Sequence, residues 1–189
     1  HDLDTVETLK SMFGLGANSV MVNFYDSGVD SANIEFTGRV TYNYNFQNYN
    51  ATVTPDNHAT SIGYHLFANA NNNAGGVGMY GDKNVKNIRN FDVGGLGAIF
   101  LYAIYDALDS MIVFATNNPS QKQIHNFSFS ISNDPIVQAK IQTLKAMQGG
   151  TQNFFVSSSG NGGNASSVTY PAAYPEVFCV GAVSVTLPK

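Results

Sequence analysis

Short apolar runs alternate with amphipathic stretches along this chain, and the two patterns predict strands and helices in turn. A strand pattern, with apolar residues in a continuous run or at every second position, occurs at Val20–Phe24, Val40–Phe46, Val85–Val93, Gln123–Ile131, Phe154–Ser158 and Val177–Val185. Turn formers bound most of these segments, since Asp-Ser-Gly follows the first and a glycine-rich stretch follows Phe154–Ser158. Val40–Phe46 is typical of a further strand or an edge hairpin.

Helical spacing of apolar residues separates these strands. It predicts helices over about Asp4–Phe13, from His58 to the turn at Asn71–Asn73, over Ala98–Ile112, and from Pro135 to Met147. Strands that alternate with helices form a mostly parallel sheet, because each parallel connection must cross back over the sheet. The sequence therefore predicts an α/β fold of three layers, a twisted sheet with helices on both faces. Residues 1–189 show no internal repeat and no domain boundary.

The composition narrows the classes of partner. Only 12% of the 189 residues are charged, the formal net charge is −4, and no run of Lys or Arg occurs, which argues against a nucleic-acid partner. No apolar run reaches the roughly 18 residues that a membrane span requires. The apolar share of 43% is that of a folded globular protein.

The single cysteine and the first residue each support one further expectation. Cys179 is the only cysteine, so no internal disulfide is possible. Because it lies in an apolar, strand-like run, we expect a small buried core residue there. The chain begins at His1 with neither Met nor a signal peptide, as in a processed or excised segment, or at a cloning boundary.

Three polar residues stand where predicted elements meet loops. Asp26 ends the first strand, His58 opens a helix, and Asn161 lies in the loop Ser159-Gly160-Asn161-Gly162-Gly163. An imidazole can take a proton from a hydroxyl nucleophile, a carboxylate can hold that imidazole in one tautomer, and an amide can donate to an oxyanion. Asp followed by His, with a serine still to come, is one known chain order of a catalytic triad.

Several motifs in this order resemble the subtilisin-like serine proteases (subtilases). The segments that carry the resemblance are Val22–Asp30 with its Asp-Ser-Gly, His58-Ala59-Thr60-Ser61, the asparagine-rich Asn72–Gly78, Asn126–Ser130, Ser159–Gly162, and Tyr170-Pro171 through Val183. The resemblance implies a subtilisin-like fold and an Asp-His-Ser serine endopeptidase, of which residues 1–189 would be the N-terminal part of a single catalytic domain.

The resemblance also implies roles for individual residues. Asp26 corresponds to the triad aspartate, His58 to the general base and Asn161 to the oxyanion-hole asparagine. It further implies that substrate backbone would lie between two edges of the specificity pocket and beside the oxyanion segment, which places substrate-binding residues at Gly94, Gly95, Leu96, Ser128, Phe129, Ser130, Ser159 and Gly160.

The sequence departs from the family pattern at three points. No Gly-Thr-Ser-Met-Ala-type motif supplies a nucleophilic serine, Ala59 stands where the family has glycine, and Ser61 stands where it has a second histidine. No cofactor is required by this chemistry. Asn71–Asn73 could supply oxygen ligands to a structural calcium ion, although that stretch contains no carboxylate.

Two functional hypotheses follow. In the first, this chain supplies Asp26, His58 and Asn161 to an endopeptidase whose serine lies on a C-terminal segment or a second chain, its partner besides a protein or peptide substrate. In the second, it is an inactive subtilase homologue that acts as a peptide-binding or scaffolding module. A doubly wound nucleotide-binding protein is disfavoured, because Gly94-Gly95-Leu96-Gly97 has neither the GxGxxG spacing nor a P-loop lysine. Family membership would favour a secreted or cell-surface location.

Overall fold

The fold was analysed in a computed structural model, which describes residues 20–70, 72–76, 78, 87–95, 97–147, 152–163 and 167–182. The strands are β1 (Val20–Asp26), β2 (Val40–Asn45), β3 (Ile88–Asp92), β4 (Gly94–Gly95), β5 (Ala98–Ile99), β6 (Lys122–Phe127), β7 (Asn153–Ser158) and β8 (Phe178–Val180). The helices are α1 (Asn57–Phe67), α2 (Leu101–Asn117) and α3 (Pro135–Ala146). The predicted helix at Asp4–Phe13 lies outside the described residues.

A six-stranded parallel sheet in the order β2-β3-β1-β6-β7-β8 organises these elements. The prediction of a mostly parallel α/β fold is thereby confirmed. β1 lies inside the sheet, paired with β3 on one side and β6 on the other. β2 is an edge strand that pairs in parallel with β3, so it is not part of a hairpin with it.

One face of the sheet is covered by α2 and α3. Aromatic rings from four neighbouring strands line this face, and the largest of them are Tyr25, Phe91, Phe127 and Phe155. Tyr25 lies 4.7 Å from Phe91 and 4.8 Å from Phe127, centroid to centroid. The helices contribute aliphatic side chains to the same cluster, which include Ile104, Leu108, Val137, Ile141 and Leu144. This is the main core, and it packs β1, β3, β6 and β7 against the two helices.

The opposite face is covered only in part. Near β1 and β3, a second cluster packs Phe24 and Ile88 against Phe36 and Phe67, the last residue of α1. Near β7 and β8, apolar side chains remain exposed: Phe154 is 52% accessible, Phe178 59% and Val180 45%. Phe154 and Phe178 contact each other with ring centroids 6.0 Å apart. An apolar face therefore lies open at this end of the sheet.

Most predicted helices and strands differ from the structure by a few residues at their boundaries, and four of them illustrate why. Ala98 and Ile99 pair with Gly94-Gly95 as a short antiparallel hairpin, so α2 starts at Leu101, not at Ala98, and continues to Asn117. α1 ends at Phe67, before the asparagine-rich turn. β6 stops at Phe127, and Ile131 makes only an isolated bridge to Tyr170. The last strand is limited to Phe178–Val180 within the described residues.

The prediction that Cys179 is a buried core residue is wrong, because its side chain is exposed. The apolar run around it does form a strand, but that strand is β8, at the edge of the described sheet, where every residue is exposed. A sequence pattern shows that a strand is apolar but does not show whether another element covers it. Within the described residues, no helix is long and apolar enough to cross a membrane.

Candidate active site

Asp26 lies in a crevice at the carboxyl ends of the parallel strands. Asp26 is the last residue of β1, and in the strand register it stands beside Asp92, the last residue of β3. In open parallel sheets, the loops at this edge are the usual place for ligand sites. The buried strand thus fixes the backbone of Asp26, and its side chain is only 1% exposed.

His58 reaches the same edge because α1 starts there. Asp56 is the N-cap of α1, in extended conformation, and its Oδ1 accepts a hydrogen bond of 2.8 Å from the backbone N of His58. The same oxygen accepts a bond of 2.9 Å from Ser27 Oγ, in the turn that follows β1. Asp56 therefore ties the start of the helix to the end of the strand, since one carboxylate oxygen receives donors from both.

The two groups meet in a direct hydrogen bond. His58 Nδ1 lies 2.8 Å from Asp26 Oδ1, and an ionised carboxylate can only accept, so Nδ1 is the donor. Asp26 Oδ1 also accepts from the backbone N of Ser27 at 2.7 Å and from Ser27 Oγ at 3.1 Å. This tautomer leaves Nε2 of His58 as a proton acceptor, and the His58 side chain is 59% exposed.

Burial changes the acidity of both carboxyls at this corner. It raises the pKa of Asp26 above its ordinary value, and the hydrogen bond from His58 opposes that rise. Burial also raises the pKa of Asp92 to about 6, although Gln47 Nε2 donates to its Oδ1 at 2.6 Å. The nearby negative charges of Asp56 and Asp26 push the pKa of Asp92 in the same direction. The sequence analysis did not single out Asp92, because only strand pairing brings it beside Asp26.

A cleft of about 390 Å³ opens in front of His58. It is lined by Asp26, Ser27, Asp56, His58, Gly95, Gly97, Ala98, Ile99, Ser128, Phe129, Ser130, Ser158, Gly160 and Asn161. The structure thus brings together the three predicted catalytic residues and most of the predicted substrate-binding ones. Asp26 and His58 come from the β1–α1 corner, whereas Asn161 comes from the loop after β7.

Two predicted substrate-binding residues are placed differently. Gly94 is buried behind the cleft, where an added Cβ would lie 2.4 Å from the carbonyl oxygen of Ala98. Ser159 lines a neighbouring cavity and not the cleft. Leu96 lies outside the described residues. Gly95 keeps its place on one wall, because the hairpin of β4 and β5 turns it outward.

The opposite wall is an irregular segment held by side-chain hydrogen bonds. After β6 ends, Asn126 Nδ2 donates to Ser128 Oγ at 2.9 Å, and Ser130 Oγ lies 2.7 Å from Thr169 Oγ1. Gly160 has a φ of +97°, and an added Cβ there would lie 2.8 Å from Thr169 Oγ1. Only glycine fits this position without strain, so the turn that presents Asn161 depends on it.

A second cavity, of about 540 Å³, adjoins the cleft. Gly160 and Asn161 line both spaces, whereas Ser159, Cys179, Gly181 and Ala182 line only the second. The oxyanion-loop candidate Asn161 therefore borders both the cleft and the uncovered end of the sheet.

The two departures next to His58 have different surroundings. The methyl group of Ala59 is fully buried in the second cluster, packed with residues such as Phe24 and Phe67, and it does not line the cleft. Ser61 is exposed on α1. Ala59 therefore leaves the cleft side of the imidazole open.

Among the described residues, no serine hydroxyl makes a hydrogen bond to His58. Ser27, which lines the cleft together with His58, has its Oγ hydrogen-bonded to Asp26 and Asp56 instead. The described residues also contain no group of three or more His, Cys, Asp or Glu that could hold a metal ion. The site can therefore orient an imidazole and leave its second ring nitrogen free to accept a proton.

Comparisons with known proteins agree with this geometry. Residues 17–186 match the model of the Subtilase family. No curated protein matches the sequence. Among solved structures, a protein titled "S41 Psychrophilic Protease" is similar over 97% of this chain, with a TM-score of 0.73 and 19% identity. Sphericase is similar over 87% of this chain, with a TM-score of 0.65 and 21% identity.

A cold-adapted subtilisin-like serine proteinase is similar over 89% of this chain, with a TM-score of 0.66 and 23% identity. At these identities, the likeness establishes the fold. The match covers 60%, 53% and 56% of the three solved chains, so this chain spans little more than half of each.

Proposed function

Because the chain belongs to the subtilase family, we propose that it contributes the acid–base part of a serine endopeptidase centre. The observation that carries the proposal is the 2.8 Å hydrogen bond from His58 Nδ1 to the buried Asp26, at the mouth of a cleft. In this role Asp26 holds the imidazole in one tautomer and stabilises its positive charge. Nε2 of His58 is the base.

The reaction then follows from the groups in the cleft. Nε2 of His58 removes the proton of a serine hydroxyl as its oxygen attacks the peptide carbonyl carbon, and it later returns that proton to the leaving amine. Asn161 donates its side-chain N–H to the oxyanion of the tetrahedral intermediate. Substrate backbone lies between Gly95 on one wall and Ser128–Ser130 on the other, adding itself as a strand, with Gly160 beside the oxyanion.

The serine is supplied, in this proposal, by a C-terminal segment or a second chain of the same protease that completes a single catalytic domain. The open face of β7 and β8 supports this, because Phe154, Phe178 and Val180 are exposed there, and Val180 O accepts a hydrogen bond of 2.9 Å from the backbone N of Ser159, two residues before Asn161. A covering segment would remove that surface from water and bring its own residues to the cleft.

A fluorophosphonate probe tests the proposal on the complete protease, meaning this chain together with its serine-bearing segment. We expect one labelled serine, outside residues 1–189, and no labelled serine in this chain. Asp26→Asn should slow labelling by about 10⁴-fold, a magnitude known for the equivalent change in a serine protease. Asp30→Asn is the matched control, because Asp30 lies outside the cleft. Labelling that ignores Asp26→Asn would contradict the assignment.

The second candidate is an inactive homologue that binds peptides or serves as a scaffold. Ser61, which replaces a family histidine, favours it. The hydrogen bond from His58 to the buried Asp26 disfavours it, because peptide binding alone does not require a carboxylate held at a cost of desolvation. Peptide binding to the complete protein with no probe labelling would establish this alternative.

Calcium remains a proposed structural ion, not a requirement of the chemistry. The carboxylate absent from the asparagine-rich stretch is available from Glu35, which is buried, with Oε2 accepting a bond of 3.0 Å from Asn72 Nδ2. Oε1 of Glu35 and Oδ1 of Asn69 are buried and have no hydrogen-bond partner among the described residues, and such oxygens suit a calcium ligand set. Asn71 lies outside the described residues.

Thermal unfolding with added calcium and with a chelator tests this second proposal. Calcium should raise the midpoint of wild type, and Glu35→Gln should remove the difference, because an ion that binds only the folded state stabilises it. Glu176→Gln, at a surface carboxylate on the other side of the sheet from Glu35's loop, is the control. A midpoint that does not respond to calcium would show that the ion is not bound.

We also propose a secreted or cell-surface location, supported by membership of the subtilase family. Fractionation of the native source, with a blot for this chain, checks the location. Recovery of the chain in the cytosolic fraction alone would contradict it.

A further inference from the structure

The loop that carries Asn161 contains an unusual chemical feature for an oxyanion-binding group. Asn161 is followed by Gly162, and no other asparagine of the chain precedes a glycine. An asparagine amide is attacked most readily by the backbone nitrogen of the next residue when that residue is glycine, because no side chain hinders ring closure. Asn161 is therefore the asparagine of this sequence that is most prone to attack by the following backbone nitrogen.

The surroundings of Asn161 leave this reaction open. Asn161, Gly162 and Gly163 are all exposed, so water reaches the loop. Among the described residues, no side-chain hydrogen bond holds the Asn161 amide in one orientation, whereas Asn153, on the preceding strand, donates to Leu144 O at 2.9 Å and accepts from His125 at 3.1 Å. The loop backbone is also glycine-rich on both sides, with φ of +97° at Gly160 and +74° at Gly163.

Packing explains why glycine must follow Asn161. A Cβ added at Gly162 would lie 2.1 Å from Ser167 Oγ and 2.6 Å from Ser167 Cβ, so the fold leaves no room for a side chain there. The residue that makes Asn161 reactive is therefore fixed by the fold of the loop. A less reactive residue pair at these positions would require either a substitution of Asn161 itself or a shift of the segment at Ser167.

We propose that Asn161 is a site of spontaneous deamidation, and that its conversion inactivates the centre. The backbone nitrogen of Gly162 loses its proton and bonds to Cγ of Asn161, the Cγ–N bond breaks, and ammonia leaves. Water then opens the succinimide at either carbonyl, giving aspartate or isoaspartate. The net reaction consumes one water and releases one ammonia, so no other reactant is needed.

The consequence rests on the proposed function of Asn161. A carboxylate in place of the amide has no N–H to donate and places a negative charge where the oxyanion forms. Loss of an oxyanion-hole donor costs about 10²–10³-fold in rate, a figure known from the asparagine of subtilisin itself. Added repulsion can only increase that loss. The enzyme would thus lose activity with age, without proteolysis or an inhibitor.

Mass spectrometry of the aged, folded protein tests the modification without reference to activity. Trypsin releases residues 146–189 as one peptide, which contains Asn153, Asn161 and Asn164. We expect Asn161 to convert at least about tenfold faster than the other two, a barrier difference of about 1.4 kcal/mol. The rate should rise from mildly acidic to mildly alkaline pH, since the attacking nitrogen must lose a proton. Conversion no faster than at Asn164, or only in denaturant, would overturn the proposal.

Probe labelling of the complete protease tests the consequence separately. Asn161→Asp, which imitates the product, should label about 10²–10³-fold more slowly than wild type. Asn161→Gln is the control for ageing. Its longer side chain closes the ring slowly, so this variant should keep its starting rate of probe labelling on storage. If Asn161 deamidates but Asn161→Asp labels normally, the inactivating role and the proposed oxyanion role are both wrong, while the modification site stands.

Discussion

The two sides of the cleft are built in different ways. At the β1–α1 corner, Asp26, Ser27, Asp56 and His58 are joined by hydrogen bonds of 2.7 to 3.1 Å, over a core of buried aromatic rings. At the β7–β8 end, Asn161 stands in an exposed glycine-rich loop that shares a cavity with Cys179 of β8, and Phe154 and Phe178 are exposed on the two strands. The hydrogen bonds that orient the His58 imidazole at the β1–α1 corner all come from residues of this chain. The end that carries Asn161, the proposed oxyanion donor, leaves apolar side chains exposed to solvent.

The largest expected effect lies at the corner. His58→Ala removes the base, so labelling of the complete protease should fall by about 10⁶-fold, the size known for the histidine of subtilisin. His65→Ala, on the last turn of the same helix, should leave the rate unchanged, because His65 does not line the cleft. An equal loss of labelling rate in both variants would mean that the substitutions disrupt α1, and it would contradict a specific role of His58 as the base. The rate of probe labelling is the measurement.

Two neighbouring phenylalanines on β7 test whether the open end is truly uncovered. Phe155 is 1% exposed in the main core and Phe154 is 52% exposed on the other face. In the isolated chain, Phe155→Ala should lower the free energy of unfolding by about 3–5 kcal/mol, and Phe154→Ala by much less. In the complete protease, the cost of Phe154→Ala should rise. Denaturant unfolding of both forms measures the four values.

If Phe154→Ala costs the same with and without the serine-bearing segment, then that segment does not cover this face. The proposal that it docks on β7 and β8 would then be wrong.

The pH dependence of stability should report the buried carboxyl of Asp92. Its folded pKa of about 6 lies above the ordinary value of 3.8, so the native state holds this proton more tightly than the unfolded chain does. The stability from this group is therefore full below pH about 3.8 and is lost as pH rises to about 6. Asp92→Asn, which keeps the oxygen that Gln47 binds, should remove that loss, which amounts to about 3 kcal/mol at neutral pH for a pKa raised from 3.8 to about 6.

Unfolding free energies of wild type and Asp92→Asn across this pH range provide the check. Asp109→Asn is the control, because Asp109 is an exposed residue of α2. A difference between wild type and Asp92→Asn that does not change with pH would contradict the raised pKa.

The smallest expected effect separates capping from positioning. Asp56→Ala and Asp134→Ala each remove an N-cap, that of α1 and that of α3, so each should cost about 1 kcal/mol of stability. Only Asp56 also binds Ser27 beside the Asp26–His58 pair, so only Asp56→Ala should slow probe labelling. Equal labelling in the two variants would show that the corner keeps its geometry without the Asp56 carboxylate. Unfolding free energy and labelling rate are measured on the same samples.

The sequence anticipated the fold and the corner better than the open end. Each described strand pattern forms a strand, and the helical spacing that begins at His58 places this residue in the first turn of a helix, because these signals are local. Asp92, Gln47 and Glu35 were not singled out, since they reach their positions through strand pairing or a distant loop. Cys179 was misplaced for a related reason: the apolar run predicts a strand, whereas its exposure depends on what lies over that strand.

The sequence by itself thus determined the alternation of strands and helices, the family and the residue types at the centre, because periodicity, capping and motif order are properties of neighbouring residues. Only the tertiary structure decided that Asp26 and His58 are 2.8 Å apart, that Asp92 is buried beside them, and that one face of the sheet is open. Distances and burial depend on elements far apart in the chain, so they are set by how the parallel strands pair and which helices cover them.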